Sequence, residues 1–541
     1  MPEIWRSSLR RWVVACVLLL GAVPAAAVAI VVNTPDDSTS ACSTTGVGTC
    51  SLRDAITFAN QNPGADTINS SLGSPSQIVK PRSPLPAITD TAYLIGPLEI
   101  DGSLAGAAAD GLTILAGGCS VVGYSIYGFA GNGIVIAGGS GSVVSDSRIG
   151  VDLSGSLLRG NGGAGVLVRG SSRNWIGYPD EIRNIIAGNG DGVRIEGTGA
   201  DENNVFGNYI GLNFSQQAFG NRGSGVVVSS GSGTAIVDGA IINSGASGIV
   251  LGPGTTGGVV GGANIQLSVD GSKADGIVID GSSNNLIGGA HYADGVILGA
   301  NGGYGIRLVN GADGNLIIGA VVGYEYIDRA YPFPNALGGI LIQDSSSNTI
   351  GGPTADGAYT ETNYIGNNGG PGITVRGQSV GNTITQNSIL TNTGIGIDLG
   401  GDGPTPNHAA VPSAGPNRFQ NYPVLTTATT GRFQTHVEGI LHSAPNGTFI
   451  VELFAGATCH AAPPGDFGDG NQFLVSLTVN TDGGGAGEFA TSFVQLLPLG
   501  SVITATATDV DGNTSEFSEC KDVILGEPGP RRPKTKVVSP R

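Results

Sequence analysis

Acid–base chemistry on a polymer needs two carboxyl groups, or a carboxylate and a basic side chain, beside a surface that grips the chain. In this 541-residue sequence the densest such mixture is a loop where Tyr324, Tyr326, Tyr331 and Phe333 surround Glu325, Asp328 and Arg329, with Tyr292 and Tyr304 shortly before. Only 6% of the chain is aromatic, so the concentration is local. Aromatic rings give a sugar apolar area and a polar edge together, which suits saccharide recognition. Packing of the loop on itself is the other reading open to these residues. If the chain is an enzyme, Glu325, Asp328 and Glu361 are its candidate acids and bases.

Three further constellations carry possible chemistry. Arg194, Glu196, Asp280, Arg307, Arg376 and Asp398 stand at outward positions of recurring strand motifs, where they form either ligand contacts or cross-strand ion pairs. Asp509, Asp511, Asn513 and Glu516 resemble part of a Ca²⁺ loop, although Asp-Gly is also an ordinary hairpin turn. Calcium is therefore the one cofactor open to the chain. His436, His442 and His460 are spaced without a diagnostic metal pattern.

The elements that position these residues are set by a repeat. A tetrad of Gly, Ile or Val, any residue, then Ile, Leu or Val begins at Gly133, Gly165, Gly192, Gly225, Gly248, Gly276, Gly305, Gly339, Gly372 and Gly396. The intervals vary from 23 to 34 residues while the motif stays constant, so fixed strands are joined by loops of varying length. A second element, such as Asn174-Trp175-Ile176-Gly177 or Asn285-Leu286-Ile287-Gly288, recurs between the tetrads. Short strands with Gly/Asn/Ser corners and almost no helix predict a parallel β-helix of roughly eleven stacked coils. In each tetrad the branched residues, Ile134 and Ile136 for example, point inward and the residue between them outward. Outward Val227, Val250 and Val278 then form an apolar stripe, either covered by a loop or free for another chain.

The segment Cys50-Ser51-Leu52-Arg53-Asp54-Ala55-Ile56, followed by Ala59-Asn60, resembles the CSLREA domain that opens many exported bacterial right-handed β-helix repeat proteins, with Asp54 where that family usually has Glu. Ile149-Gly150-Val151-Asp152 and Asn208-Tyr209-Ile210-Gly211 resemble the repeat phrases of the same proteins. The resemblance implies a right-handed single-stranded β-helix and no one activity. On physical grounds Ser51 and Asp54 form a capping box for a helix whose Leu52, Ala55, Ile56 and Ala59 share one face, suited to covering the first coil.

Residues 1–27 combine Arg6, Arg10 and Arg11, an apolar run and Ala25-Ala26-Ala27, the layout of a cleaved secretory signal. Residues 28–90 read as the N-terminal cap, 91–403 as the solenoid and 404–416 as a Pro-rich linker. Alternating segments over 417–520 predict a β-sandwich, whose endings resemble an immunoglobulin-like module. A basic, Pro-rich tail follows over 521–541. An oxidising compartment lets Cys42 pair with Cys50 and Cys459 with Cys520, which leaves Cys119 buried and free.

The net charge is −17, and because both ends are basic the stretch between them carries −23. That balance argues against nucleic acid or an anionic membrane as the main partner, since binding those depends on clustered Lys and Arg. Charged residues are only 12% and hydrophobic residues 40%, which excludes a disordered chain. The expected function is a non-catalytic, adhesion-like surface scaffold that binds glycans or other macromolecules such as a surface protein. The alternative is a polysaccharide lyase, glycoside hydrolase or epimerase; the second alternative is a purely structural surface component.

Overall fold

The protein is described by a computed structural model, which covers residues 27–37, 42, 48–73, 77–178, 183–262, 267–289, 295–325, 331–352, 362–462 and 465–526. Tyr292, Tyr326, Asp328, Arg329, Glu361, the signal segment up to residue 26 and the tail from residue 527 lie outside them.

The chain winds into a right-handed parallel β-helix closed by an antiparallel β-sandwich. One face of the solenoid is an 11-stranded parallel sheet, one strand per coil. Ten of its strands are the ten tetrads, and the eleventh is Leu112–Ile114, whose leading Leu hides it from the motif. The other two faces are ladders fused into a 20-stranded sheet, because Ser120–Tyr127, Asn204–Ile210 and Ala235–Ile242 run through the corner between them. Parallel pairing starts with Ala29–Val32 on Asp66–Ser70, so stacking begins within the segment assigned to the cap.

Inward residues follow the alternation expected of strands: Val193, Ile195, Ile277 and Ile279 are fully buried in one continuous aliphatic core. The corners are held by buried asparagines. Each accepts backbone and side-chain N–H bonds from the coil before it and donates to the coil after it, as in Asn285, Asn315, Asn348 and Asn382. The left-handed backbone conformation falls on their neighbours, such as Asn284 before Asn285 and Asn367 before Asn368, where a short polar side chain tolerates it.

Solenoid ends expose unpaired strand edges and need caps. At the N-terminus the helix Leu52–Gln61 carries the Ser51–Asp54 capping box and buries Leu52, Ala55, Ile56 and Ala59 against the first coils. The Cys42–Cys50 bridge ties its start, and Cys119 is buried and free.

At the C-terminus two four-stranded sheets pack around Val437, Leu441, Val451, Leu453, Ile503, Ala505 and Ala507. Their strands reach Leu525, five residues beyond the expected boundary, because Lys521–Asp522 and Ile524–Leu525 add an edge to each sheet. Cys459 pairs with Cys520.

This sandwich is the second cap. Backbone N–H groups of the last coils donate to it: Gly381 to Asn513 Oδ1 (2.7 Å), Ile384 to Thr514 Oγ1 (2.9 Å), Gln386 to Glu452 Oε2 (3.1 Å) and Leu399 to Glu516 Oε1 (2.8 Å). Phe454 and Phe517, edge to face at 5.2 Å, seal the aliphatic core. The stretch expected to be a linker is likewise fixed. Thr405 N donates to Glu516, and just beyond that stretch Asn417 completes the asparagine ladder by accepting from Asn382 N.

Candidate functional site

A groove of about 460 Å³ lies on the 11-stranded face near the N-terminal third of the solenoid. Its walls come from two successive tetrad strands and the corners around them: Leu167 and Arg169 from one strand, Arg194 and Glu196 from the next with Asp191 in the corner before it, and Arg222 and Gly223 from the corner that follows. Parallel register sets Arg194 beside Leu167 and Glu196 beside Arg169. The floor is apolar, since Val135, Ala164 and Leu167 are buried together on the outer side of the sheet.

The charges are interlocked. Arg194 lies between two carboxylates, 2.8 Å from Asp191 Oδ2 and 3.8 Å from Glu196 Oε2. Arg169 Nε donates to Glu196 Oε1 at 2.9 Å. Asp191 Oδ1 accepts from Ser224 N at 2.9 Å, a reach open only because residue 223 is Gly: a Cβ there would collide with that oxygen. Arg222 differs from the other two arginines. Its guanidinium donates to the carbonyls of Gly188 (2.7 Å), Asn161 (2.6 Å) and Gly162 (3.1 Å), and among the described residues it forms no ion pair. Three guanidinium groups thus face two carboxylates in a groove of a strongly acidic protein.

The sequence candidates divide across the molecule. Arg194 and Glu196 lie in the groove; Asp191 and Arg222 escaped notice because they sit in corners, and Arg169 was missed although it holds the same strand-end position as its register partner Glu196. One signal was available: Asp110, Asp191 and Asp275 each precede a tetrad glycine and each accepts a backbone N–H of the next coil. Arg307 pairs with Asp275 at 3.0 Å, and Arg376 donates to the Gly401 carbonyl; neither lines the groove. Val278 is buried, with Val227 and Val250 half-buried beside it.

The described ends of the aromatic loop are bonded to each other, Glu325 N to Tyr331 O and Phe333 N to Gly323 O. Tyr324 is buried against Ile297, Val321 and the half-buried Tyr364, which stand on three stacked strands, so it anchors the start of the loop on the outside of the solenoid. Tyr304 is also buried, and its N–H donates to Asp275. Tyr331 and Glu325 are exposed. Phe333 packs on Gly299, whose N–H donates to Asp270; burial, helped by the charge of Glu325, pushes the Asp270 carboxyl up to about 7. The described part of the loop therefore sets Glu325 near Asp270, a partner not visible in the sequence.

The suggested Ca²⁺ ligands are committed elsewhere. Asp509 closes its own turn, Asp511 pairs with Arg418 at 2.8 Å, Asn513 caps Gly381, and Glu516 caps Leu399 and Thr405. Among the described residues no three His, Cys, Asp or Glu side chains are grouped to hold a metal ion.

No family model matches the chain, and no curated protein does. Solved structures share its fold at low identity. The A-module of the Azotobacter vinelandii mannuronan C-5 epimerase AlgE4 is 14% identical with a TM-score of 0.35, over 66% of this chain and 96% of that one. The enzymatically active domain of bacteriophage CBA120 tailspike protein 2 is 12% identical with a TM-score of 0.32, over 87% and 73%. A tailspike mutant of E. coli bacteriophage HK620 in complex with pentasaccharide is 14% identical with a TM-score of 0.32, over 85% and 89%. The non-catalytic scaffold expected from sequence is corrected and not carried forward, since these neighbours include an epimerase and an enzymatically active domain. At such identities the likeness shows the fold alone, so the activity has to be argued from the groove.

Proposed function

We propose that the protein is an extracellular enzyme acting on an anionic polysaccharide, with its active site in the groove around Arg194. The observation that carries this reading is Arg222: a guanidinium fixed by three backbone carbonyls, without a carboxylate partner, beside two carboxylates that share Arg194. A planar, fixed guanidinium suits a sugar carboxylate, and neutralising that carboxylate acidifies the adjacent C–H. Glu196 then serves as the base that takes the proton. In elimination, the C–H electron pair forms the ring double bond, the bond to the leaving glycosidic oxygen breaks, and that oxygen takes the proton that Glu196 has removed. In epimerisation, a proton from water is added at the opposite face, and Glu196 releases its own to solvent. A groove with an apolar floor and charged walls matches a sugar ring with one charged substituent.

Export fits the two disulfides, which persist in oxidising compartments. In this reading residues 1–27 are the signal and Cys50 to Ile56 belong to a CSLREA-type cap.

The test incubates the purified protein with alginate, polygalacturonate, hyaluronan and a neutral glucan, following unsaturated product, reducing ends and uronate epimer ratio. Turnover of an anionic polymer is expected, abolished by Glu196→Gln, while Arg222→Ala raises KM more than it lowers kcat. Turnover confined to the neutral glucan, or full activity in Glu196→Gln, overturns the assignment.

A further inference from the structure

A second concentration of large side chains lies outside the groove, on the two faces formed by the 20-stranded sheet. Two successive coils carry five aromatic rings on their outer side: Trp175 and Tyr178, then Phe206, Tyr209 and Phe214. Their inward neighbours Ile176, Val205 and Ile210 are buried in the aliphatic core, so strand alternation directs the rings away from it. In the coils that follow, the places in register with Trp175 are held by Asn204, Ala235, Val259 and Leu286, and those in register with Tyr209 by Ala240 and Ser268. Packing at these rows therefore does not require a ring. Tyr178 is 43% and Phe214 48% exposed, with Trp175, Phe206 and Tyr209 half-buried beside them.

The rings form one continuous band. Trp175 lies 6.3 Å from both Tyr178 and Phe206, and Tyr209 meets Phe214 edge to face at 6.3 Å. Gly207 joins the two groups: a Cβ there would lie 3.6 Å from the Tyr178 carbonyl oxygen, and its own carbonyl accepts from Arg183 Nη1 at 3.4 Å. The same Arg183 guanidinium lies 4.9 Å from the centre of the Tyr209 ring. Arg148, Ile185 and Tyr209 are in register on consecutive strands, and Arg148 reaches past Ile185 to set its guanidinium 5.5 Å from the Phe214 ring centre. None of these residues lines the groove.

The chemistry of the band indicates its ligand. Half-exposed rings spread over two coils offer apolar area to the C–H faces of successive sugar rings. Coils repeat at ~4.8 Å, close to the length of one sugar residue in a chain. A guanidinium over an aromatic ring still has N–H groups for a carboxylate. Arg148 uses part of this capacity on Asp146 at 3.2 Å, and Arg173, two residues before Trp175, is paired with Glu202 at 2.8 Å. Arg183 forms no ion pair among the described residues, which leaves an open cation on an aromatic surface of a chain with net charge −17. A polymer of sugar rings bearing carboxylates matches both halves of this surface.

We infer that this band is a second binding surface of the enzyme, remote from its chemistry, which holds another stretch of the anionic polysaccharide engaged by the groove. The ligand class rests on the reading of the groove; the site does not. Two attachments on one chain raise its effective concentration, so the band serves long polymers more than short ones. Trp175 is the only tryptophan after residue 12, so its fluorescence reports on the band directly. The purified protein carrying Glu196→Gln is titrated with oligosaccharides of polygalacturonate and of alginate, and with a neutral cello-oligosaccharide. A saturable change with the anionic oligosaccharides alone is expected, absent in Trp175→Phe and unmoved by Arg222→Ala. Tyr178→Ser combined with Phe214→Ser, and separately Arg183→Gln, should each weaken it roughly tenfold, with unchanged thermal unfolding as the check on folding. Constant fluorescence overturns the inference, as does a change that ignores the ring and Arg183 substitutions, equals that with the neutral sugar, or vanishes in Arg222→Ala. A saturable change in a protein whose unsubstituted form turns over no polymer overturns the groove assignment and leaves the band standing.

Discussion

Replacing Asn335 by Ala tests what holds the coils in register. Asn335 Oδ1 accepts from Asn301 N at 3.2 Å and from Asn301 Nδ2 at 2.8 Å, and its Nδ2 donates to Leu298 O at 3.1 Å and to Asn368 Oδ1 at 2.9 Å. Four buried hydrogen bonds disappear, each worth about 1 kcal/mol net. Three of the four former partners keep another bond: Asn301 Nδ2 with Val269 O, Leu298 O with Gly323 N, and Asn368 Oδ1 with Asn335 N. Only Asn301 N is left without its acceptor, so the expected loss is about 4 kcal/mol, in the upper part of the range for single substitutions. A solenoid need not unfold in one step, so urea denaturation should be joined by amide exchange. Protection should fall most at the strands on either side of the broken rung, Val296–Gly299 and Gly338–Gln343. The natural chain supplies a comparison: Ser244 and Ser272 occupy the equivalent place below a tetrad glycine, with hydroxyls that have no partner. Asn335→Ser is therefore expected to be tolerated as a folded but weakened rung. A loss below about 1 kcal/mol for Asn335→Ala, or exchange that rises uniformly along the solenoid, would show that the aliphatic core alone sets the register.

Two further outcomes follow from other parts of the fold. Burial pushes the Glu516 carboxyl from 4.5 up to about 8, against hydrogen bonds from Thr405 and Leu399 that act the other way. The folded state thus binds this proton more tightly than the unfolded one, so the contribution is fully present below pH 4.5 and is lost as pH rises through about 8, a change on the order of 5 kcal/mol. Denaturation from pH 5 to 9 should show falling stability that flattens in Glu516→Gln, and stability rising over that window would refute it. Gly288 and Gly257 both have positive φ, at +90° and +64°, but a Cβ on Gly288 runs into the Ile318 carbonyl while one on Gly257 meets nothing within 4 Å. Gly288→Ala should cost about 3 kcal/mol and Gly257→Ala about 1 kcal/mol; equal melting-temperature losses would show that backbone strain alone decides.

Much of the architecture was legible because a coil repeats its physical problem. Ile134 and Ile136, or Val193 and Ile195, must point inward in every turn, so the tetrads and the helix capped by Ser51 could be read directly. Leu112–Ile114 escaped only because Leu fills a place held elsewhere by Ile or Val. The groove was less visible for a different reason. Arg169, Arg194 and Arg222 come from consecutive coils of unequal length, and whether they meet depends on stacking register, which residue types do not encode. Arg222 is held by carbonyl groups, which have no side-chain signature at all. The sandwich was legible as alternating segments, yet its role at the solenoid end rests on Glu452, Glu516 and Asn513 meeting backbone N–H groups more than 60 residues earlier in the chain.

Those contacts impose an order on synthesis. The N-terminal helix is made early and can cover its coil at once, after which each new turn settles on the one before. The growing face, however, keeps presenting strand N–H groups until Asn513, Thr514 and Glu516 have been made. For most of its biogenesis the solenoid is an open template, able to recruit another chain's strand as readily as its own next coil. The late-made sandwich ends that exposure, so truncation anywhere before residue 516 should yield not a shorter rod but an adhesive one.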